Sequence, residues 1–119
     1  MHVPTRRSYS LTQKTLSARV RTELPENLTE FIWQLAEAAR ERSRLQREEI
    51  QVFELSPINH SAIVENQMVV HIVGEGYQRS YSLCLEDSFA GKIVVKDLGD
   101  ELIMMFSDEY DQEQERGED

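Results

Sequence analysis

The sequence predicts an α+β domain in which one long amphipathic helix packs on an antiparallel sheet of about five strands. Two observations lead to this prediction. Apolar residues between positions 24 and 45 recur three and four positions apart, as in a helix with one buried face. Beyond residue 49, several segments instead alternate between apolar and polar residues, which is typical of strands. A helix and a sheet of this kind bury each other's apolar faces.

The helix is predicted at residues 25–46. Pro25 suits its first position, where a backbone N–H would have no partner within the helix. Glu26 and Glu30 complement the positive end of the helix dipole, and arginines follow near the negative end. The helical residues predicted to lie in the core are Ile32, Trp33 and Leu35.

Five strands are predicted after the helix, at residues 50–55, 67–73, 77–85, 91–96 and 101–106. Glycine-containing turns at 74–76 and 97–100 join neighbouring strands, which must then be antiparallel. We interpret the sheet as a meander, although a longer link leaves the strand order open. A weak alternation over residues 9–23 also predicts a short first strand. The predicted core positions of the sheet are Val52, Ile72, Val94 and Met104.

The two ends of the chain are predicted to be disordered, which leaves residues 9–106 as a single domain. Residues 1–8 have no hydrophobic period. Residues 107–119 contain seven acidic residues and one aromatic residue, too little apolar area to offset the entropy of ordering. The sequence therefore predicts an N-terminal arm and an acidic tail.

Charge and cysteine content restrict the functional class. The net charge of −9 opposes general attraction to nucleic acid or to anionic lipid. It is unevenly distributed, since residues 1–50 hold nine Lys or Arg against seven Asp or Glu, and the remainder holds four against fifteen. The single cysteine precludes an intramolecular disulfide. No apolar run is long enough to span a bilayer. These features favour a cytoplasmic protein that does not act at a membrane.

Several short motifs occur in a recognisable order. They are Leu24-Pro25, the helix start Leu28 to Trp33, the strand Ile50 to Leu55, the strand histidine His71, Gly91 to Val95 and Asp108-Glu109-Tyr110. In order and spacing this sequence resembles the small staphylococcal-type domain of unknown function (family nine-sixty) of low-GC Gram-positive bacteria. The resemblance covers residues 9–110 and implies a bacterial, cytoplasmic, single-domain protein. It implies no activity.

His71 and Cys84 are the candidate catalytic residues. A histidine base needs converging partners, and a reactive thiol needs contact with a base and an orienting group. The sequence places no such partners beside either residue, so we favour a hydrogen-bonded strand histidine and a structural thiol. No metal site and no cofactor are predicted.

Candidate partner-binding residues lie on the helix. They are Arg40, Arg44, Arg47 and Trp33. A solvated helix end, paired with neighbouring glutamates, is the simpler interpretation of the arginines. Three hypotheses follow: a non-enzymatic protein-binding or adaptor module, which we favour and whose partner is another protein or a second copy; a nucleic-acid-associated regulator that uses the basic helix end; and a small enzyme centred on His71.

Overall fold

A computed structural model describes residues 12–42, 49–58 and 65–117. The predicted N-terminal arm lies outside these ranges. In chain order the elements are β1 (Gln13–Leu16), α1 (Ala18–Glu23), α2 (Glu26–Arg42), β2 (Ile50–Pro57), β3 (Gln67–Val73), β4 (Tyr77–Leu83), β5 (Gly91–Asp97), β6 (Glu101–Phe106) and α3 (Ser107–Gly117). The predicted α+β class is confirmed, and each of the five predicted strands occurs within two residues of its predicted bounds.

The sheet has six strands in the order β1-β6-β5-β2-β3-β4, which corrects the predicted five-stranded meander. Strands β2, β3 and β4 do follow one another as antiparallel neighbours. The link after β4 then carries the chain back across the sheet, so that β5 pairs with β2 on its other side. The sheet is also mixed, because β1 pairs with β6 in parallel. Pairing between strands that are far apart in the sequence cannot be predicted from a local hydrophobic pattern.

Helix α2 covers one face of the sheet, which we call the core face. Gln51 donates a hydrogen bond to the carbonyl of Ala36 in α2 (3.1 Å), and Phe31 packs edge-on against Tyr81 with ring centroids 5.5 Å apart. Apolar side chains fill the space between helix and sheet. They include Leu28, Ile32, Trp33, Phe53, Leu55, Val69, Ile93, Val95, Leu102, Met104 and Phe106. This cluster is the hydrophobic core of the domain.

The core positions predicted for β2 and β3 lie on the wrong face. Val52 and Ile72 are only half-buried on the outer face, whereas Phe53 and His71 are fully buried on the core face. Both alternating sets in these strands are largely apolar, so periodicity alone does not decide which set faces the helix. Val94, opposite Val52, is buried but also lies on the outer face, outside the core cluster. Ile32, Trp33 and Met104 are buried in the core, and Leu35 is partly buried against it.

Helix α3 occupies the part of the chain that composition predicts to be a disordered tail; residues 118–119 lie outside the description. Polar contacts attach it. A Glu109 carboxylate oxygen accepts from the Ser17 hydroxyl and from the backbone N–H of Phe106, each at 2.8 Å. Lys96 pairs with Glu113. The helix thereby lies on the outer face at β5 and β6. Composition misses this because the attachment depends on charged partners distant in sequence.

The attachment of α3 is expected to weaken in acid. Arg19 donates a hydrogen bond to Asp108 at 2.7 Å, and this bond lowers the pKa of the Asp108 carboxyl below its usual value. A carboxyl whose pKa is lowered by folding stabilises the folded state above its unfolded pKa of about 4, and that contribution disappears as pH falls through the lowered value. Asp108→Asn should therefore unfold more readily than the parent protein at pH 7, and this difference should decrease as the solution is acidified. Urea denaturation over a series of pH values tests this; a difference that does not decrease in acid contradicts it.

Candidate functional site

His71 lies on the core face at the centre of a buried aromatic and polar cluster. Its side chain is 0% exposed. The imidazole stacks on Phe53 with centroids 4.3 Å apart and meets the edge of Tyr77 at 5.4 Å. Its Nε2 lies 2.7 Å from the Gln51 Oε1 atom. A substrate in solvent does not reach a side chain in this position.

The hydrogen bonds of Gln51 determine which nitrogen of His71 carries a proton. The Gln51 amide nitrogen donates to the Ala36 carbonyl, so its oxygen is the atom that faces His71. An amide oxygen only accepts hydrogen bonds, and Nε2 of His71 must therefore be the donor. The arrangement ties β3 to α2 through β2. It supports the structural interpretation of His71 over a catalytic one.

Cys84 and His71 do not form a pair. Cys84 is exposed and lies immediately beyond the last residue of β4. In the β3–β4 register His71 is opposite Arg79, five residues before Cys84. At about 3.3 Å per residue, the cysteine is roughly 16 Å along the strand from that position. A thiol at this distance is not activated by the imidazole.

The predicted partner-binding residues that the structure describes make internal contacts instead. The Arg40 side chain is 15% exposed, and its guanidinium donates to Asp97 at 3.0 Å, to Thr12 and to the Gly99 carbonyl. Trp33 is buried in the core. Arg44 and Arg47 lie outside the described residues. The arrangement of Arg40 links the end of α2 to the turn between β5 and β6.

A shallow cleft of about 220 Å³ opens beside the first turn of α2. Its lining residues are Pro25, Glu26, Asn27, Leu85, Glu86 and Asp87. This volume is below the range of about 300–1,000 Å³ usual for small-molecule sites. Among residues 12–42, 49–58 and 65–117, no group of three or more His, Cys, Asp or Glu side chains is placed to hold a metal ion. The cleft is acidic but has no described nucleophile or histidine.

The edge of the sheet at β4 is a different kind of site, because it offers backbone groups. Peptide groups alternate in direction along a strand. The Asp97 N–H donates to the Glu49 carbonyl at 2.7 Å, so odd-numbered residues of β2 face β5 and even-numbered residues face β3. By the same alternation, odd-numbered residues of β3 and β4 face each other, as do His71 and Arg79. The N–H and C=O groups that point away from the sheet belong to Gln78, Ser80 and Ser82.

We call these outward backbone groups of Gln78, Ser80 and Ser82 the β4 edge. Strand β4 ends the order of the sheet, so nothing in the described ranges pairs with this edge. Natural sheets usually protect long edges with lysine, proline, a bulge or a covering segment. Over its seven residues β4 has no proline and a single charged residue, Arg79. The opposite edge, β1, has only four residues and is followed at once by α1.

The outer face beside the β4 edge is partly apolar. Met68, Val70 and Ile72 of β3 are half-buried there, opposite Ser82, Ser80 and Gln78 of β4. Helix α3 covers the other half of this face, where Val94 and Met105 are only 3% and 5% exposed. No helix of the described ranges covers the half of this face that adjoins the β4 edge, and we call it the open half.

Two side-chain amides anchor the link that follows β4. Asn66 both donates to and accepts from the backbone of Leu85 at 2.9 Å. The Gln67 oxygen accepts from the Phe89 N–H at 2.6 Å, and its nitrogen donates to the Phe89 carbonyl at 3.0 Å. Sequence reasoning did not identify these residues; adjacent amides before an apolar strand are the only local signal. They hold β4 at the edge by fixing the path of the chain beyond it.

Comparisons with known proteins bear on the fold alone. A crystal structure of a protein of unknown function from Enterococcus faecalis superposes with a TM-score of 0.65 at 18% identity, over 92% of this chain and 97% of that one. No family model and no curated protein matches the sequence. Membership of family nine-sixty therefore stays a prediction. Within the described segments, no helix is long and apolar enough to cross a membrane.

Proposed function

We propose that this protein is a non-enzymatic protein-binding module that accepts an extended protein segment along the β4 edge. In this mode, called strand addition, an incoming strand makes main-chain hydrogen bonds to an exposed sheet edge, and alternate side chains provide specificity. The observation that carries the proposal is the seven-residue edge with outward groups at Gln78, Ser80 and Ser82. An incoming strand would also extend the open apolar half of the outer face.

The geometry of the candidate catalytic residues supports this proposal over an enzyme. His71 is enclosed between Phe53 and Tyr77, and Cys84 lies far along the sheet from it. The nucleic-acid hypothesis depends on the basic helix end, where Arg40 is engaged by Asp97. The β4 edge requires none of these residues. The β4 edge would bind through its peptide groups, which can pair with any extended chain.

Ser80→Pro tests strand addition directly. Proline lacks an N–H, and at position 80 the missing group is one that points outward, so the β3–β4 ladder keeps its bonds. We expect proteins retained from a native lysate by the parent chain to be retained about tenfold less by the variant, which corresponds to about 1.4 kcal/mol. Immobilised full-length protein and quantitative mass spectrometry provide the measurement.

The matched control is Ser80→Ala, which removes the same hydroxyl but keeps the N–H. It should retain the same proteins as the parent chain. Circular dichroism and the melting temperature show whether Ser80→Pro is folded. If all three proteins are folded and retain the same set equally, strand addition at β4 is wrong.

A further inference from the structure

We infer that the strand added at the β4 edge is β4 of a second copy of this chain. The two strands are antiparallel and are related by a two-fold axis that passes between the two Ser80 residues. This inference rests on the proposed function, because it names the occupant of the same edge. The pairing joins two sheets into one of twelve strands. Both copies then present α2 on the same side, since the axis of an antiparallel pair runs perpendicular to the sheet.

Residues of β4 alternate between the two faces of the sheet, so the pairing must place outer-face residues opposite outer-face residues. An even-numbered residue must lie opposite an even-numbered one, because Gln78, Ser80 and Ser82 hold the outward backbone groups. Ser80 is the middle residue of Tyr77–Leu83. A two-fold axis through it is therefore the one register in which all seven residues of both strands pair, and each Ser80 exchanges two backbone hydrogen bonds with its symmetry mate.

Side chains on the core face are complementary in this register. Arg79 lies opposite Tyr81 of the second copy, and Tyr77 lies opposite Leu83. Arg79 already approaches an aromatic ring within its own chain, with its guanidinium carbon 5.6 Å from the centroid of Tyr77. A second tyrosine across the strand offers the same cation–π contact. Moving the axis to Arg79 would instead place two guanidinium groups directly opposite each other, which is unfavourable.

The side chains on the outer face and the local absence of acidic residues also favour self-pairing of this segment. Ser80 meets Ser80, and Gln78 meets Ser82, so the contacts across the axis on that face are small and uncharged. Two copies of a chain with net charge −9 repel each other. Residues 76–85 contain no acidic side chain, so the paired strands themselves add no carboxylate to that repulsion; Glu75 and Glu86 lie just outside them. Added salt should strengthen association, because it screens the remaining repulsion.

Disulfide trapping tests the register. In a Cys84→Ser background, which removes the exposed native thiol, Ser80→Cys places two thiols opposite each other across the axis. Directly opposed residues in a hydrogen-bonded antiparallel pair have Cα atoms about 5.5 Å apart, within the range of a disulfide. Ser82→Cys is the matched control on the same face. Its two thiols would lie about 13 Å apart, since Ser82 is opposite Gln78.

Under mild oxidation we expect a disulfide-linked dimer from Ser80→Cys and at most a tenth as much from Ser82→Cys, measured on a non-reducing gel. Equal yields would indicate random collision and would overturn the inference. A dimer from Ser82→Cys alone would overturn it as well, since the register would be wrong.

Sedimentation equilibrium of the unmodified full-length chain separates this inference from the proposed function. Seven paired residues form a small interface, so we expect a dimer that dissociates on dilution, forms more readily at high salt, and is lost in Ser80→Pro. A chain that stays monomeric up to about 1 mM at both salt concentrations overturns the second copy as occupant. The proposed function is then still decided by whether Ser80→Pro loses other retained proteins while Ser80→Ala keeps them.

Discussion

Arg40→Met should lower the free energy of unfolding by about 3–5 kcal/mol, the range found when one member of a buried ion pair is removed. The Asp97 side chain is 1% exposed and accepts from the Arg40 Nε at 3.0 Å. Methionine keeps much of the aliphatic volume of arginine, so the loss reflects the broken ion pair with the buried carboxylate. Urea denaturation followed by the fluorescence of Trp33 measures the effect.

The turn between β5 and β6 takes part in the same set of contacts. Gly99 has φ of +99°, which glycine adopts readily, and its N–H donates to the second Asp97 oxygen at 2.8 Å. The Gly99 carbonyl accepts from Arg40. Turn, carboxylate and guanidinium therefore form one unit at the end of α2. Removing the guanidinium leaves both a carboxylate and a carbonyl without this donor.

Two substitutions serve as controls for Arg40→Met. Arg40→Lys retains the charge but not the planar set of donors, and we expect it to recover part of the stability. Arg19→Met removes an exposed arginine that pairs with Asp108, and should destabilise the fold much less than Arg40→Met does, because solvent screens an exposed pair. If Arg40→Met is no more destabilising than Arg19→Met, the Arg40–Asp97 pair does not stabilise the fold.

The second large effect is expected at Gln51 and His71, which are both buried and hydrogen-bond at 2.7 Å. Gln51→Leu and His71→Leu should each destabilise by about 1–3 kcal/mol, because each breaks this buried hydrogen bond. The double variant removes both groups. We expect it to be more stable than the sum of the single effects predicts by about 1 kcal/mol or more.

A double-mutant cycle, again by urea denaturation, measures this coupling. Additive effects would show that the bond between Gln51 and His71 contributes nothing beyond packing. Coupling of the expected size would show that His71 stabilises the fold through Gln51, which agrees with its enclosure by Phe53 and Tyr77.

Local sequence patterns predicted the elements of this protein well, because their signals are short-range. The start of α2 follows from Pro25 and the acidic residues after it, and the turn at residues 97–100 follows from Gly99. Local patterns did not predict which face of β3 is buried. Val70 and Ile72 alternate with Val69 and His71, so hydrophobicity favours neither set, and the contact of Gln51 with α2 decides which one is buried.

Sequence reasoning did not identify the β4 edge, for a related reason. Sequence reasoning identified His71, Cys84 and Arg40 by their chemical type, but type does not reveal that His71 is enclosed or that Arg40 pairs with Asp97. The β4 edge depends on strand order, and that order results from the link that Asn66 and Gln67 anchor. Nothing within β4 itself distinguishes an edge strand from a central one.

By itself, the sequence determined the α+β class, the helix start and the five strands after it, because periodicity and turn chemistry act over a few residues. The tertiary structure alone decided the parallel pairing of β1, the position of β5 beside β2, the helical form of α3 and the position of β4 at the end of the strand order. Each depends on partners far apart in the chain, such as Ser17 with Glu109 or Gln67 with Phe89. The hydrogen bonds and burial that select such partners exist only once the chain has folded.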